Sequence, residues 1–444
     1  MRLLIVLLIA CAAAEAQVTY VLKAARLFNG TSDHLIEPGI VIVSGNQIVS
    51  VGGSTPQNAT VVDLGDATLL PGFIDAHTHL TFDFDPDYNG ARLDALDRTQ
   101  AEQAIHAAAN ARATLMAGFT TVRDLGSSNF IDVGLRNSIN AGVTPGPRML
   151  VSVHALGSTG GHCDDGAGFR FGLLNHEAGP EDGVIDSPDQ ARFAVRFNIK
   201  YGADVIKTCA TGGVLSLKDA VDSPQLTQTE LDALVTAAHD LGRKTAAHAH
   251  GAEGAKRAIR AGIDSIEHGT FLDDEALRMM REHGTYLVPT LATRTGLAQS
   301  KFPPAVQKKA ELAVKEQDNM LRRAIEMGVK IALGTDAAVY PHGNNAVEFS
   351  LIVHDGMSPA QALRAGTCVA ANLLGLSDRI GVLEAGKLAD VVAVSGNPLT
   401  DIKATRSVIF VMKEGKVFRN DSADRTGLGV PELHTNREAR PGAN

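Results

Sequence analysis

Residues 71–79 read Pro-Gly-Phe-Ile-Asp-Ala-His-Thr-His. The run is apolar after a Pro-Gly break, so it is read as a buried β-strand over 72–80. Seven further runs of the same kind follow, at 120–125, 149–155, 204–211, 244–250, 265–269, 286–291 and 330–336. Helix-favouring stretches lie between them, among them 101–117, 227–241 and 305–327. Eight strand–helix alternations predict an α/β fold, a parallel (β/α)8 TIM-like barrel.

Outward from this block the sequence changes character. Residues 17–70 and 380–422 are rich in short apolar runs bounded by Gly, Asn and Ser, and are expected to meet in a small β-sandwich. The barrel is then expected over 71–379, with 423–444 a polar tail. At the N-terminus, Arg2 precedes the apolar run 3–10. That pattern predicts a signal peptide ending at 16, after Ala14-Glu15-Ala16, and hence an exported protein. Leu8-Ile9-Ala10-Cys11 also fits a lipoprotein signal anchored through Cys11, and both readings stay open.

The 444 residues suffice for one large barrel and an accessory domain, and 44% hydrophobic residues supply a core. The formal charge of −9 argues against nucleic acid or an anionic membrane surface as partner. Cys163, Cys209 and Cys368, an odd number without regular spacing, do not read as a disulfide framework. Cys368 is expected to be a buried small side chain, and Cys163 and Cys209 to lie near the pocket.

The chemistry-bearing residues fall at one end of the expected strands. His77, His79, Lys207, His248, His250, His268 and Asp336 all lie at or near strand C-terminal ends, the face on which such barrels build active sites. His77 and His79 alternate, so both imidazoles face the same side and reach one ion at about 2.0–2.1 Å. His248, His268 and Asp336 extend that set across other strands. Lys207, on an otherwise apolar strand, is either a buried amine paired with a carboxylate or, if carbamylated by CO2, an anionic bridge between two metals. His162 follows Thr159-Gly160-Gly161 in a Gly-rich loop and is either a solvated loop histidine or a substrate contact, and His250, two residues past His248 and on the same face, is expected to support that residue or touch substrate. His154 is assigned to the core and His342 to a loop.

Taken in order, residues 71–79, Val205-Ile206-Lys207 with Ala210-Thr211-Gly212-Gly213-Val214-Leu215-Ser216, Ala247-His248-Ala249-His250-Gly251, Ser265-Ile266-Glu267-His268-Gly269-Thr270 and Leu333-Gly334-Thr335-Asp336 resemble the amidohydrolase superfamily. The likeness is to the imidazolonepropionase-related branch, and within it to binuclear Xaa-Pro dipeptidase-like and ochratoxin-cleaving enzymes. It implies that His77, His79 and Asp336 bind one divalent ion, His248 and His268 a second, and carboxylated Lys207 both. Zinc is the expected metal, though such mixed N/O sites also accept others. A hydroxide between the ions would attack an amide carbonyl, and Asp336 would pass its proton to the leaving nitrogen. It further implies a small-molecule or dipeptide substrate with a free carboxylate, held by His162 and His250, and a homo-oligomer. Cyclic-amide hydrolysis on the same barrel and a non-catalytic binding barrel are the rival readings.

Overall fold

The computed structural model describes residues 18–173 and 176–422. The expected signal segment, 1–16, and the tail, 423–444, lie outside them.

Six strands open the chain: β1 (Thr19–Ala24), β2 (Arg26–Leu27), β3 (Gly39–Ser44), β4 (Gln47–Val51), β5 (Thr60–Asp63) and β6 (Ala67–Pro71). Seven parallel-type strands follow: β7 (Phe73–Thr78), β8 (Phe119–Asp124), β9 (Arg148–Val151), β10 (Val205–Cys209), β11 (Lys244–Gly251), β12 (Ser265–Phe271) and β13 (Tyr286–Val288). The last three are β14 (Val391–Ser395), β15 (Val408–Lys413) and β16 (Lys416–Asn420).

The two ends of the chain build two sheets, ordered β4-β3-β1-β5 and β16-β15-β14-β6-β2. Alternation puts Leu22, Val41, Val43 and Ile48 of the first against Leu69, Val391, Phe410 and Met412 of the second, in one buried cluster. Strand β6 belongs to this unit, and after Gly72 the chain continues directly as β7. A Cβ at Gly72 would strike the Thr120 side chain on β8, so the crossing point needs glycine. Arg148 at the start of β9 fastens the units together, reaching Asp390 and Glu414 at 2.6 Å each.

The central strands form two parallel arcs, β7-β8-β9 and β10-β11-β12-β13. Helices such as Gln100–Met116, Pro188–Lys200, Gln228–Asp240 and Pro304–Glu326 alternate with them. Thr99, Ser187 and Thr227 cap the first three of these, each side-chain oxygen accepting a backbone N–H of the first turn. Between the arcs, Leu156 pairs in parallel with Thr208, and Asp204 N–H donates to Val151 O at 2.7 Å. The expected eighth strand, 330–336, is not a regular strand. It makes single bridges, Ile331 to Leu287 on β13 and Ala337 to Thr78 on β7. Its ladder is broken because Asp336 adopts φ 58° and Ala338 φ 125°.

Candidate active site

The C-terminal ends of these strands converge on one cavity of about 680 Å³. His77, His79, Lys207, His248, His250, His268 and Asp336 all line it, as does His162. All seven strand-end residues quoted from the sequence thus come together. Two overlapping donor groups are present: His248, His250 and His268, and His77, His268 and Asp336, each with donor atoms within 4.8 Å of one another.

The hydrogen bonds of the imidazoles decide which nitrogen is free for an ion. His77 Nδ1 lies 2.8 Å from Glu267 Oε2. Glu267 is buried, but Arg123, the His77 hydrogen bond and Lys207 outweigh burial and hold its carboxyl down at about 2. A carboxylate only accepts, so the His77 proton is on Nδ1 and the Nε2 lone pair is exposed. His79 Nδ1 faces the Gly126 carbonyl at 3.2 Å, with the same consequence. His268 Nδ1 lies 2.7 Å from Thr290 Oγ1, whose own proton goes to the Pro289 carbonyl at 2.8 Å, so His268 also frees Nε2. His248 is turned the other way. Its Nε2 donates to Gly212 O at 3.2 Å, leaving Nδ1 free. Burial lowers His77 to about 4 and drives His248 and His268 well below the usual imidazole range, so all three are neutral. Neutral imidazoles with one oriented lone pair each, plus an ionised Asp336, are donors that could hold a divalent transition-metal ion.

Asp336 Oδ1 lies 3.5 Å from His77 Nε2 and 3.3 Å from His79 Nε2. Burial alone would raise it, but His77 and His79 hold it well below the carboxylate range. Lys207 Nζ is 3.5 Å from His77 Nε2. Burial, partly offset by Glu267 and Asp336, lowers its ammonium to about 8. The amine is therefore closer to its free-base form, which reaction with CO2 requires.

His250 lines the cavity beside His248. Its Nδ1 is engaged by Thr270 Oγ1 at 2.8 Å, and its ring stacks on His268 with centroids 4.9 Å apart, inside the first donor group. His162 stacks on His248 at 4.2 Å, and its Nδ1 meets Ser216 Oγ at 2.5 Å. A Cβ at Gly213 would fall inside the His162 ring, which explains a glycine there.

Three sequence readings are corrected. Cys163 and Cys209 form a disulfide, with Cα atoms 5.9 Å apart, because the loop after β9 folds back on the end of β10. Spacing in the chain carried no trace of this. Cys368, expected to be buried, is free and half-buried. His154 is not core. It is half-buried, lines the cavity, and packs edge-on to Phe130 at 5.4 Å. His342 lies in a loop, donating to Phe82 O at 2.8 Å.

Several functional residues went unmarked in the sequence. Glu267 also accepts from Arg123 at 2.9 Å and Ser265 at 2.5 Å. Asp75 accepts from His77 N, Thr335 N, Thr335 Oγ1 and Asn345 Nδ2. A charged residue two places before His77 on an apolar strand was the available signal for Asp75.

The amidohydrolase family matches residues 68–418. The chain belongs to the amidohydrolase family. Ochratoxinase of Aspergillus niger is 33% identical over 430 residues, 91% of this chain and 87% of the relative. Imidazolonepropionase of Cutibacterium acnes is 26% identical over 374 residues, 81% of this chain and 84% of that one. A solved Xaa-Pro dipeptidase with methionine bound in its active site is 40% identical and superposes with a TM-score of 0.86, over 90% of this chain and 100% of that one. This amidohydrolase is accordingly a hydrolase of amide bonds.

Proposed function

We propose that this amidohydrolase is a binuclear metal enzyme on a closed (β/α)8 barrel, exported from the cytoplasm, that cleaves dipeptides or N-acyl amino acids bearing a free carboxylate. The observation that carries the reading is the pair of overlapping donor groups with Lys207 beside them. Three of their histidines, His77, His248 and His268, and His79 beside them each have one nitrogen freed by a hydrogen bond made on the other side of the ring.

His77, His79 and Asp336 would hold one ion, and His248 and His268 the other, with His250 adjoining it. Lys207 would join both sites as a carbamate, its nitrogen adding to CO2 and losing one proton. Divalent cations bound there supply Lewis acidity, polarising a carbonyl oxygen and acidifying water. The chain's own residues do the rest. Asp336, kept ionised by its histidine neighbours, accepts a proton at Oδ1 and delivers it to the departing nitrogen. His162 Nδ1 meets Ser216 Oγ at 2.5 Å, and that hydroxyl also reaches Gly213 O at 3.5 Å, which would fix the ring with its Nε2 edge toward the substrate. Similarity to the dipeptidase and to ochratoxinase, over nearly the whole chain, supports a peptide or acyl-amino-acid substrate.

The test is elemental analysis combined with hydrolysis of Xaa-Pro, Xaa-Leu, Xaa-Phe and N-acyl amino acids, with and without chelator. About two ions per chain and chelator-sensitive turnover are expected. Full turnover in metal-free protein would overturn the metal mechanism. Cleavage of cyclic amides alone would replace the substrate assignment.

A further inference from the structure

Of the described side chains lining the cavity, two are of cationic type, Lys207 and Arg92. Lys207 lies among the metal donors. Arg92 comes from the helix Tyr88–Asp97, and its guanidinium carbon stands 4.3 Å from the centroid of the Phe169 ring. Among the described residues it has no ion-pair partner. Arg98, six residues on, is by contrast consumed by Asp83 and Asp94 at 2.5 Å each.

The helix that carries Arg92 is tied to the loop that supports His162. Tyr88 Oη donates to Leu215 O at 2.7 Å, and the next residue, Ser216, meets His162. Tyr88 also packs edge-on against Phe302 at 6.1 Å. Arg92 thus has a fixed base. A guanidinium lying over an aromatic face keeps its N–H edge open for a planar two-oxygen acceptor.

The rest of the wall narrows the ligand. Asp83, Asp85, Asp165 and Asp182 also line the cavity and repel an anion, although Asp83 is neutralised by Arg98 and His106, and Asp182 faces His176. Away from the donor groups, Arg92 is the one described Lys or Arg side chain on the wall, and so its one fixed positive charge. Tyr88, Leu96, Phe169 and Phe302 supply apolar surface around it.

We propose that Arg92, braced on Phe169, binds the free carboxylate of the substrate. The substrate class is an acyl amino acid or dipeptide whose C-terminal residue is aromatic or large and aliphatic. This rests on the amide-hydrolase reading and assigns to Arg92 the charged part of the carboxylate grip expected of His162 and His250, which are neutral rings with Nδ1 engaged by Ser216 and Thr270. Arg92 is a specificity residue and touches no reacting atom.

The experiment uses the full-length, metal-loaded protein. For wild type, Arg92→Met and Arg92→Lys, kcat/KM is measured on N-acetyl-L-phenylalanine and on its C-terminal amide. In parallel, calorimetry gives Kd for 3-phenylpropanoate and 3-phenylpropan-1-ol, which have no scissile amide. Wild type should prefer the acid, and Arg92→Met should lose that preference by roughly 10–100-fold with the amide rate unchanged. Arg92→Lys should recover part of it. The Kd for 3-phenylpropanoate should weaken by a similar factor and that for the alcohol should not move. An unchanged acid-to-amide ratio in Arg92→Met overturns the proposal, as does an unchanged or unmeasurable 3-phenylpropanoate affinity. If wild type hydrolyses neither compound, the substrate reading fails, and the calorimetric comparison alone decides the role of Arg92.

Discussion

Replacing Glu267 by Gln is the perturbation that probes the site most directly. The side chain is fully buried and receives three donors: Arg123 Nη2 at 2.9 Å, Ser265 Oγ at 2.5 Å and His77 Nδ1 at 2.8 Å. Glutamine keeps the shape but offers one acceptor oxygen and an NH2 group. If that oxygen stays with Arg123, the NH2 confronts His77 Nδ1, and the ring must move its proton to Nε2. The lone pair that faces Asp336 and the cavity is then lost. Disturbing an oriented ligand in this way costs about 10–100-fold in metal affinity. Arg123 meanwhile keeps its charge in a fully buried position with no anion beside it, which costs about 3–5 kcal/mol. Two assays separate the effects: chelator competition for metal affinity, and urea unfolding for stability. A double variant, Glu267→Leu with Arg123→Met, removes both charges, so stability should largely return while metal affinity stays low. Wild-type metal affinity in Glu267→Gln would refute the proton placement on His77.

Four further outcomes are expected. Asp336→Asn should lower kcat by roughly a hundredfold to ten-thousandfold with a smaller change in KM, and near-normal turnover would remove its proton role. Lys207→Ala should lose metal by elemental analysis, whereas Lys207→Glu should retain part of it, and a bare amine in the electron density of an active, metal-loaded crystal would rule out the carbamate. The Cys163–Cys209 bridge closes a 46-residue separation, worth about 4 kcal/mol against the unfolded chain, so the double Ser variant should unfold at lower urea, and an unchanged midpoint would contradict the bond. Burial pushes Glu348 up to about 8, above its ordinary value of 4.5. The folded state then binds the extra proton between those values, so stability should fall as pH rises through this window, by at most about 1.4 kcal/mol per unit, and Glu348→Gln should flatten the slope.

The arcs were legible because apolar periodicity and strand-end chemistry coincide. Residues 73–78, 205–209 and 244–251 form where the runs predicted them, and their histidines and Lys207 meet. Glu267 was hidden by the same rule that exposed the others. Alternation puts only one of two adjacent residues on a given face of a regular strand, so a ligand-type His268 argues against Glu267 reaching the same centre. The structure turns His268 to φ 69°, so both it and Glu267 reach the centre. The disulfide was hidden because its partners are joined by a loop fold and not by any sequence spacing. Arg92 was hidden because it is on a helix between β7 and β8, away from the strand ends where the other chemistry-bearing residues cluster. Its neighbour Phe169 arrives from a loop more than seventy residues later.

The irregular eighth segment and the catalytic geometry have one cause. His268, Thr290 and Asp336 all have positive φ without being glycine: His268 lies within β12, Thr290 just past β13 and Asp336 at the end of the eighth segment. Such conformations cost roughly 1–3 kcal/mol apiece and persist only where surrounding contacts fix them. At Asp336 those contacts are visible. Both Thr335 N and Asp336 N donate to His77 O, at 3.2 and 2.7 Å, a doubling that no regular ladder allows. The Asp75 carboxylate takes over the missing partners, receiving Thr335 N at 3.1 Å and Thr335 Oγ1 at 2.6 Å, with Asn345 Nδ2 at 2.7 Å. A side chain of β7 thus stands in for main-chain pairing along the seam between β7 and residues 330–337. The lost ladder is what lets Asp336 turn toward His77 and His79. A regular strand would place residue 336 by alternation alone, with no freedom to bring its carboxylate within 3.5 Å of both rings.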